Sequence, residues 1–241
     1  MKRPPFVRLL LASSVQLFIA STAVAEPPPS AQEILASVRM QQAQQQIDLN
    51  GQLRESDLII PFRLVQTGPL IRYSFQNPEE VLQLRLEDNG SRLEVVSDAA
   101  TEKVQAAKLN EKIRGTGVTY GDLALKFLYW PDGKVLGDET VHARSCWKLQ
   151  LRAPSRESQY SNVFLWVDKK SGALMRLEGY DWKGQLTKRF EVISAQKIDN
   201  REKIGAREVI RSRWFLKQMR IEEFQPGTNK VQARTYLEIK R

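Results

Sequence analysis

The stretch FLWVDKKSGALMRLEGYDWKG, Phe164 to Gly184, limits the folds open to this chain more than any other. Asp168-Lys169-Lys170-Ser171-Gly172 and Asp181-Trp182-Lys183-Gly184 carry the Gly, Asp and Ser that tight turns demand. The residues around the turns are strand formers. Their apolar members, however, occupy neighbouring positions: Phe164, Leu165, Trp166 and Val167, then Leu174, Met175 and Leu177. A sheet with one wet face alternates apolar and polar residues. This sheet therefore has a second apolar face to cover.

The same turn chemistry recurs along the chain. ARSCWKLQLRAP alternates, with Trp147, Leu149 and Leu151 on one side. VIRSRWFLKQMRIEEF and VQARTYLEIK are joined by Pro226-Gly227-Thr228-Asn229-Lys230. Upstream, the two-residue period starts at Ile47, and VLQLRLEDNGSRLEVVSD reads as a hairpin about Asp88-Asn89-Gly90-Ser91. Asn89-Gly90-Ser91 also fits a glycosylation acceptor, but a turn here needs those residues in any case. Two stretches read as helical. Ser30–Gln46 opens on a capping box of Ser30 and Glu33, and Gly121–Trp130 is stopped by Pro131. Thr101–Ile113 fits either a short helix or a flap. The fold class is mainly β, an up-and-down antiparallel sheet. Such a sheet, apolar on both faces, either sandwiches between layers or curls and encloses something on its concave side.

The first 25 residues read as an export signal. Lys2, Arg3 and Arg8 precede a short apolar run from Leu9 to Ala20, and Ala23-Val24-Ala25 is a small-x-small cleavage site. The run is shorter than the roughly 20 residues a spanning helix needs. Cleavage after Ala25 leaves residues 26–241 as one exported domain, with Glu26-Pro27-Pro28-Pro29 as a stiff lead-in. Removing three basic residues from the net charge of +9 leaves +6. That balance suits a solvated basic surface, anionic lipid head groups or acidic partners.

Signatures of chemistry are sparse. Cys146 is the only cysteine, so no intrachain disulfide forms, and its strand setting suits a buried, inert thiol. His142 is the only histidine, which rules out a multi-histidine metal site. There is no zinc-protease helix, paired-cysteine motif, nucleophile elbow or phosphate-binding loop. Gly115, Gly117 and Gly121 lack the spacing of a dinucleotide loop. Carboxylates are plentiful, but no spacing singles out an acid–base pair. Export argues against nucleic acid as a partner. No cofactor, metal or catalytic residue is assigned, and an enzyme ranks last among the functions considered.

TYGDLALKFLYWPDGKVLGDETVHARSCWKLQL, LWVDKKSGALMRLEGYDWKGQLTKRFEV and WFLKQMRIEEFQPGTNKVQARTYLEI resemble the outer-membrane lipoprotein-sorting protein family. That family is related to the periplasmic lipoprotein carrier and its membrane-anchored receptor. The resemblance runs from about Ile47 to the end. It implies a strongly curved antiparallel half-barrel with a helical lid or plug, an apolar cavity for acyl chains and a periplasmic location. Unlike the receptor, this chain has no lipidation cysteine after its leader. On that frame the expected cavity wall is Trp147, Leu149, Phe164, Trp166, Met175, Leu177, Phe215, Met219 and Ile221. The expected lid is Ile34, Leu35, Val38, Leu123, Phe127 and Leu128. The expected function is a monomeric periplasmic binder or carrier of lipoprotein acyl chains or lipid in transit to the outer membrane, with an inner-membrane export complex as a further partner. The alternative is an envelope interaction or stress-sensing module that binds a protein.

Overall fold

Thirteen strands form one open, purely antiparallel sheet in the order β6-β5-β4-β3-β2-β1-β13-β12-β11-β10-β9-β8-β7. The computed structural model describes residues 28–204 and 207–240, with backbone alone over 198–213. The leader, its cleavage position and part of the Glu26–Pro29 lead-in lie outside the described residues. The first half holds helix α1 (Ala31–Ala43), then β1 (Gln46–Glu55), β2 (Leu58–Thr67), β3 (Leu70–Phe75), β4 (Glu80–Leu86), β5 (Ser91–Val96) and β6 (Thr101–Lys103). The second half holds β7 (Asp132–Val141), β8 (Arg144–Arg152), β9 (Asn162–Asp168), β10 (Leu174–Tyr180), β11 (Leu186–Ile204), β12 (Arg207–Phe224) and β13 (Val231–Lys240).

Each strand lies beside its neighbour in sequence except at two places. β1 pairs with β13, which joins the halves, and β6 and β7 end up at opposite edges. The intervening chain must therefore travel from one edge to the other across one face. In a flat sheet, twelve spacings of about 4.8 Å would put those edges about 58 Å apart. Curling shortens the route and turns the crossed face inward. The crossing segment contains 3₁₀ turns at Ala106–Asn110, Ile113–Gly115 and Lys126–Tyr129, and a single helical turn, α2 (Tyr120–Leu123).

The inner face is where the two-residue period places its apolar members. Leu149 and Leu151 of β8, Val163, Leu165 and Val167 of β9, and Leu177 of β10 pack beneath α1. Ile71, Phe75, Leu82, Leu84 and Leu93 pack with Ile113, Val118 and Tyr120 of the crossing segment. Phe190 and Leu125 touch both groups, so the inner core is continuous.

The outer face answers the question posed by the Phe164–Val167 run. Lys148, Trp166, Arg176, Glu191, Arg220, Tyr236 and Arg54 stand in one cross-strand row, partner to partner. Trp166 lies under Lys148 and Arg176, at 5.0 and 5.3 Å from its ring, and donates its Nε1–H to Glu139 at 2.7 Å. Arg176 and Arg220 both bond Glu191, at 2.7 and 2.8 Å. The next row sets Phe164 edge-on to Tyr180, with Arg189 bonding Glu178 and Arg234 bonding Glu222. Long cationic stems thus cover the outer aromatics, and no second sheet is needed. The edge strand β7 is blunted by a bulge at Gly137 and by the paired charges Asp138 and Glu139.

Three local expectations are corrected. The first helix runs Ala31–Ala43, capped by Ser30 and Glu33 as expected, and Gln46 already belongs to β1. The Gly121–Trp130 helix is not continuous. α2 ends at Leu123, Leu125 adopts a left-handed φ of 50°, and a 3₁₀ turn follows. The break lets Leu125 pack into both inner clusters, a tertiary gain that overrides helix propensity. Thr101–Ile113 resolves into the short edge strand β6 and a 3₁₀ turn, and ends on the fully buried Ile113.

The outer rows make acid the expected denaturant. Burial raises the Glu191 carboxyl, but the bonds from Arg176 and Arg220 outweigh it and hold the group below its usual range. The Arg54 bond does the same for Glu238 against its partial burial. A carboxyl whose folded pKa is depressed adds stability above its unfolded value and loses it as pH falls through the folded one. The melting temperature should be flat between about pH 8 and 5.5 and fall below about pH 4.5. Glu191→Gln should lower it at neutral pH and make the acid fall shallower. A melting temperature unchanged down to about pH 3, followed by circular dichroism, would contradict this account.

Candidate functional site

Between the crossing segment and the inner face lies a hollow of about 200 Å³. Its sheet wall is Tyr73 of β3, Leu174, Met175, Arg176 and Leu177 of β10, Phe190 of β11, Met219 and Ile221 of β12 and Leu237 of β13. Its cover is Val118, Leu123, Leu125 and Phe127, and Asp122 and Tyr160 border it. The lining is almost wholly apolar because two periods meet there. Alternate strand positions face inward, and the broken helix directs Leu123, Leu125 and Phe127 down onto them.

The cover is fastened at one buried polar knot. Asp122 shares a capping box with Thr119, whose amide donates to Asp122 Oδ2 at 2.8 Å. Lys188 of β11 donates to the same oxygen at 2.7 Å, and both side chains are shielded from solvent. Tyr160 Oη and Gln159 Nε2 donate to Oδ1 at 2.7 and 2.9 Å. Tyr160 reaches this position because β10 has Gly179 beneath it. A Cβ there would lie 2.4 Å from the Tyr160 ring. Burial and the adjacent Asp122 charge push the Tyr160 hydroxyl well above its usual pKa, so it stays a donor.

Further ties hold the cover along its length. The Gly117 amide donates to Glu55 Oε2 and to Thr235 Oγ1, both at 2.8 Å. Tyr120 Oη donates to Glu80 at 2.8 Å, and Ser91 Oγ donates to the Ala124 carbonyl. Beyond Leu125 the partners change. Arg39 of α1 donates to the Leu128 carbonyl at 2.5 Å, and Gln32 donates to the Trp130 and Pro131 carbonyls at 3.0 and 2.9 Å.

The residues singled out from sequence are distributed unevenly. Leu177, Met219, Ile221, Leu123 and Phe127 border the hollow. So does Met175, whose side chain, at the bulge between Leu174 and Arg176, also groups with Val141, Cys146 and Trp166. Leu149, Ile34, Leu35, Val38 and Leu128 are solid core beside it, and Trp147 packs against that core under Lys169. α1 therefore buttresses the β7–β9 side rather than roofing the hollow. Phe164 and Trp166 stand on the outer face, because β9 turns Val163, Leu165 and Val167 inward. Phe215 is half-buried on the part of β12 that pairs with β11 alone and does not border the hollow.

Tyr73, Leu174, Phe190 and Leu237 were not singled out, though Ile71, Tyr73 and Phe75 alternate visibly in LIRYSF. Asp122 and Lys188 are 66 positions apart, and only the Thr119–Asp122 half of that knot has a local signature. Cys146 is a buried thiol pushed up by burial, and His142 Nε2 sits 3.1 Å from Glu191 in an exposed turn.

Chemically the hollow can bind but is poorly equipped to react. Asp122 is the only carboxylate bordering it among the described residues, and both its oxygens are occupied. No group of three His, Cys, Asp or Glu side chains among the described residues could hold a metal. No described helix is long and apolar enough to cross a membrane. A larger, open depression of about 640 Å³ lies among the turn residues Gly184–Leu186 and Gly227–Asn229. Its one cation, Arg189, already serves Glu178 and Glu222. If Asp122 is the fastening point, Lys188→Met should cost about 3–5 kcal/mol by leaving that carboxylate buried and unpaired. Urea unfolding would show it, and a loss below about 1 kcal/mol would mean the knot does not hold the cover.

Known proteins place this geometry. The fold is similar to a solved domain assigned as an outer membrane lipoprotein-sorting protein from Vibrio parahaemolyticus, at 15% identity over 87% of this chain and 90% of that one, with a TM-score of 0.62. It is similar to a DUF1329 family protein from Desulfovibrio piger, at 18% identity, 87% and 90% coverage and a TM-score of 0.59. It is also similar to a LolA superfamily protein from Nitrosomonas europaea, at 15% identity, 89% and 93% coverage and a TM-score of 0.56. At such identities the likeness shows the fold, the curved half-barrel implied by the sequence resemblance. No curated protein matches the chain. Residues 98–241, more than half of the sequence and including β6, the whole crossing segment and all of β7–β13, match the model of a family described as "-like: Uncharacterized protein", and the chain belongs to that family.

Proposed function

We propose that this chain is a non-enzymatic periplasmic binder or carrier of acyl chains, borne by lipoproteins or lipids in transit to the outer membrane. The observation that carries this reading is the apolar hollow beneath a separately fastened cover. The likeness in fold to a lipoprotein-sorting domain supports it. The leader is removed after Ala25, residues 26–241 form one carrier-like half-barrel domain, and the protein works as a monomer that receives cargo from an inner-membrane export complex.

The volume sets the mechanism. Ligand sites generally span about 300–1,000 Å³, and this hollow holds about 200 Å³. The closed form admits only the end of a chain, and deeper entry displaces cover contacts. Sheltering a sixteen-carbon chain is worth on the order of 12 kcal/mol at about 0.8 kcal/mol per CH₂. Displaced cover contacts offset part of that gain, so the ligand is held without being trapped. With no nucleotide-binding loop in the sequence, handover runs downhill to another apolar site.

The alternative, an envelope module that binds a protein, has one observation in its favour. Trp214 is 68% exposed where β11 and β12 run beyond the rest of the sheet. The two readings separate in one experiment. Leu177→Trp, which fills the hollow, should weaken an environment-sensitive hydrocarbon-chain probe by about tenfold or more, and Trp214→Ala should leave it unchanged. Wild-type protein that ignores such probes, and that native mass spectrometry finds ligand-free when taken from the periplasm, would refute the carrier reading.

A further inference from the structure

The outer end of the β11–β12 pair has no part in the hollow or its cover. β10 pairs with β11 no further than Glu191, and β13 pairs with β12 no further than Gln218. From Ala195↔Leu216 to Ile204↔Arg207 the two strands pair only with each other among the described residues, over ten rungs. At about 3.3 Å per residue this is a ribbon roughly 33 Å long. A two-stranded ribbon standing alone is marginally stable in water.

The net charge of the chain is gathered on this ribbon. Between Ala195 and Lys217 the sequence has seven basic and three acidic residues, a net of +4. That is most of the +6 carried by residues 26–241, on 23 of their 216 positions. The outer rows of the main sheet, by contrast, pair Arg176 and Arg220 with Glu191, and Arg189 with Glu178. The register spreads the ribbon's charges over both faces. Lys197, Arg201 and Lys203 share one face with Ile210 and Trp214, and Arg207, Arg211 and Arg213 share the other with Ile198. Trp214, near the root of the ribbon, is 68% exposed, and Ile193 at the adjoining bulge is exposed as well.

Two kinds of partner answer such a surface, an acidic protein and an anionic lipid layer. The placement of the charges favours lipid. A protein epitope is read on one face, with charge depleted from its centre. Here neither face is free of cations, and the apolar residues stand singly among them. Phospholipid head groups present diffuse negative charge that demands no register, and tryptophan is at home at the boundary between head group and hydrocarbon.

We propose that the β11–β12 ribbon is a docking arm for anionic phospholipid surfaces. Its cations supply an attraction that falls off within a Debye length, about 8 Å at physiological salt, and Trp214 enters the head-group layer. The contact is reversible, since the ribbon has no apolar face to bury. Docking does not depend on what the hollow takes.

Flotation of the exported protein, purified, with vesicles of phosphatidylcholine containing about 30% phosphatidylglycerol, against phosphatidylcholine alone, tests this. In about 0.1 M salt, wild-type protein should bind the anionic vesicles about tenfold or more better than the neutral ones, and about 0.5 M salt should remove the difference. Arg207→Glu, Arg211→Glu and Arg213→Glu together should weaken anionic-vesicle binding about tenfold or more. Lys170→Glu, Lys183→Glu and Lys230→Glu, at exposed turn positions, change the net charge equally and should stay within about threefold of wild type. Trp214→Ala should weaken binding about threefold or more. Lipids brominated near the glycerol should quench wild-type tryptophan fluorescence more than that of this variant. Truncating an exposed side chain leaves the core intact, so Trp214→Ala decides the matter even if the triple arm variant fails to fold. Equal binding to both kinds of vesicle, arm and turn variants that weaken alike, or a Trp214→Ala protein indistinguishable from wild type would each overturn the docking arm. So would an arm that captures an acidic protein and leaves anionic vesicles alone. Failure of the hydrocarbon-chain probe to bind would refute the carrier reading and leave docking standing.

Discussion

With β6 and β7 at opposite edges of the sheet, the chain between them has to cross the inner face, and that crossing organises the molecule. Apolar contact alone would leave its position loosely set, since burial is non-directional. The carboxylate of Asp122 supplies direction. It accepts from the Thr119 amide, from Gln159 and Tyr160 of the β8–β9 connection, and from Lys188 of β11. A buried ion pair of this kind adds little net stability over an apolar substitute, yet removing one partner is severe. It specifies where the segment lies. The cover therefore has one anchored half, and Leu123, Leu125 and Phe127 are held over the cavity as a consequence.

The outer face makes a single-layer solution workable. An open sheet whose strands are apolar on both sides ordinarily needs two covering layers. Here the outer aromatics are roofed by side chains that remain in water at their tips. Lys148 and Arg176 lie over Trp166, Arg54 over Tyr236 and Arg189 over Phe224. Carboxylates in adjacent strands neutralise those cations row by row, so the basic chain does not repel itself across the sheet. That leaves the inner face free to be covered by something removable.

Much of this was legible, for reasons that also mark where legibility ends. The two-residue period of β8 assigns Leu149 and Leu151 to one face, and the Ser30–Glu33 capping box announces α1, both from local sequence. In Phe164–Val167 the period is present but both phases are apolar. Nothing local says whether Phe164 and Trp166 or Leu165 and Val167 turn inward. The deciding residues, Lys148 and Arg176, sit on adjacent strands and matter only once the register is known. The Gly121–Trp130 stretch carries a helical pattern, and the left-handed turn at Leu125 follows from two clusters that the sequence does not display. The Asp122–Lys188 pair is created by the topology itself. Tyr73 was legible as an inward residue of an alternating strand.

The anchoring pattern also constrains how such a hollow can widen. Movement that parted Asp122 from Lys188 inside the protein would leave two buried charges uncompensated, a large penalty. Widening that keeps the knot closed has to begin beyond it, after Leu123. There the backbone is already strained at Leu125, with a φ of 50° on a branched apolar residue. The 3₁₀ turn that follows is held by Arg39 and Gln32 through main-chain carbonyls at its end, bonds that water can replace one for one. The apolar contacts of Phe127 and Leu125 are the kind a hydrocarbon tail can substitute for methylene by methylene. Anchored and yielding halves thus meet at Leu125. A hydrocarbon chain entering there would displace contacts it can itself replace and leave intact the buried ion pair that it cannot.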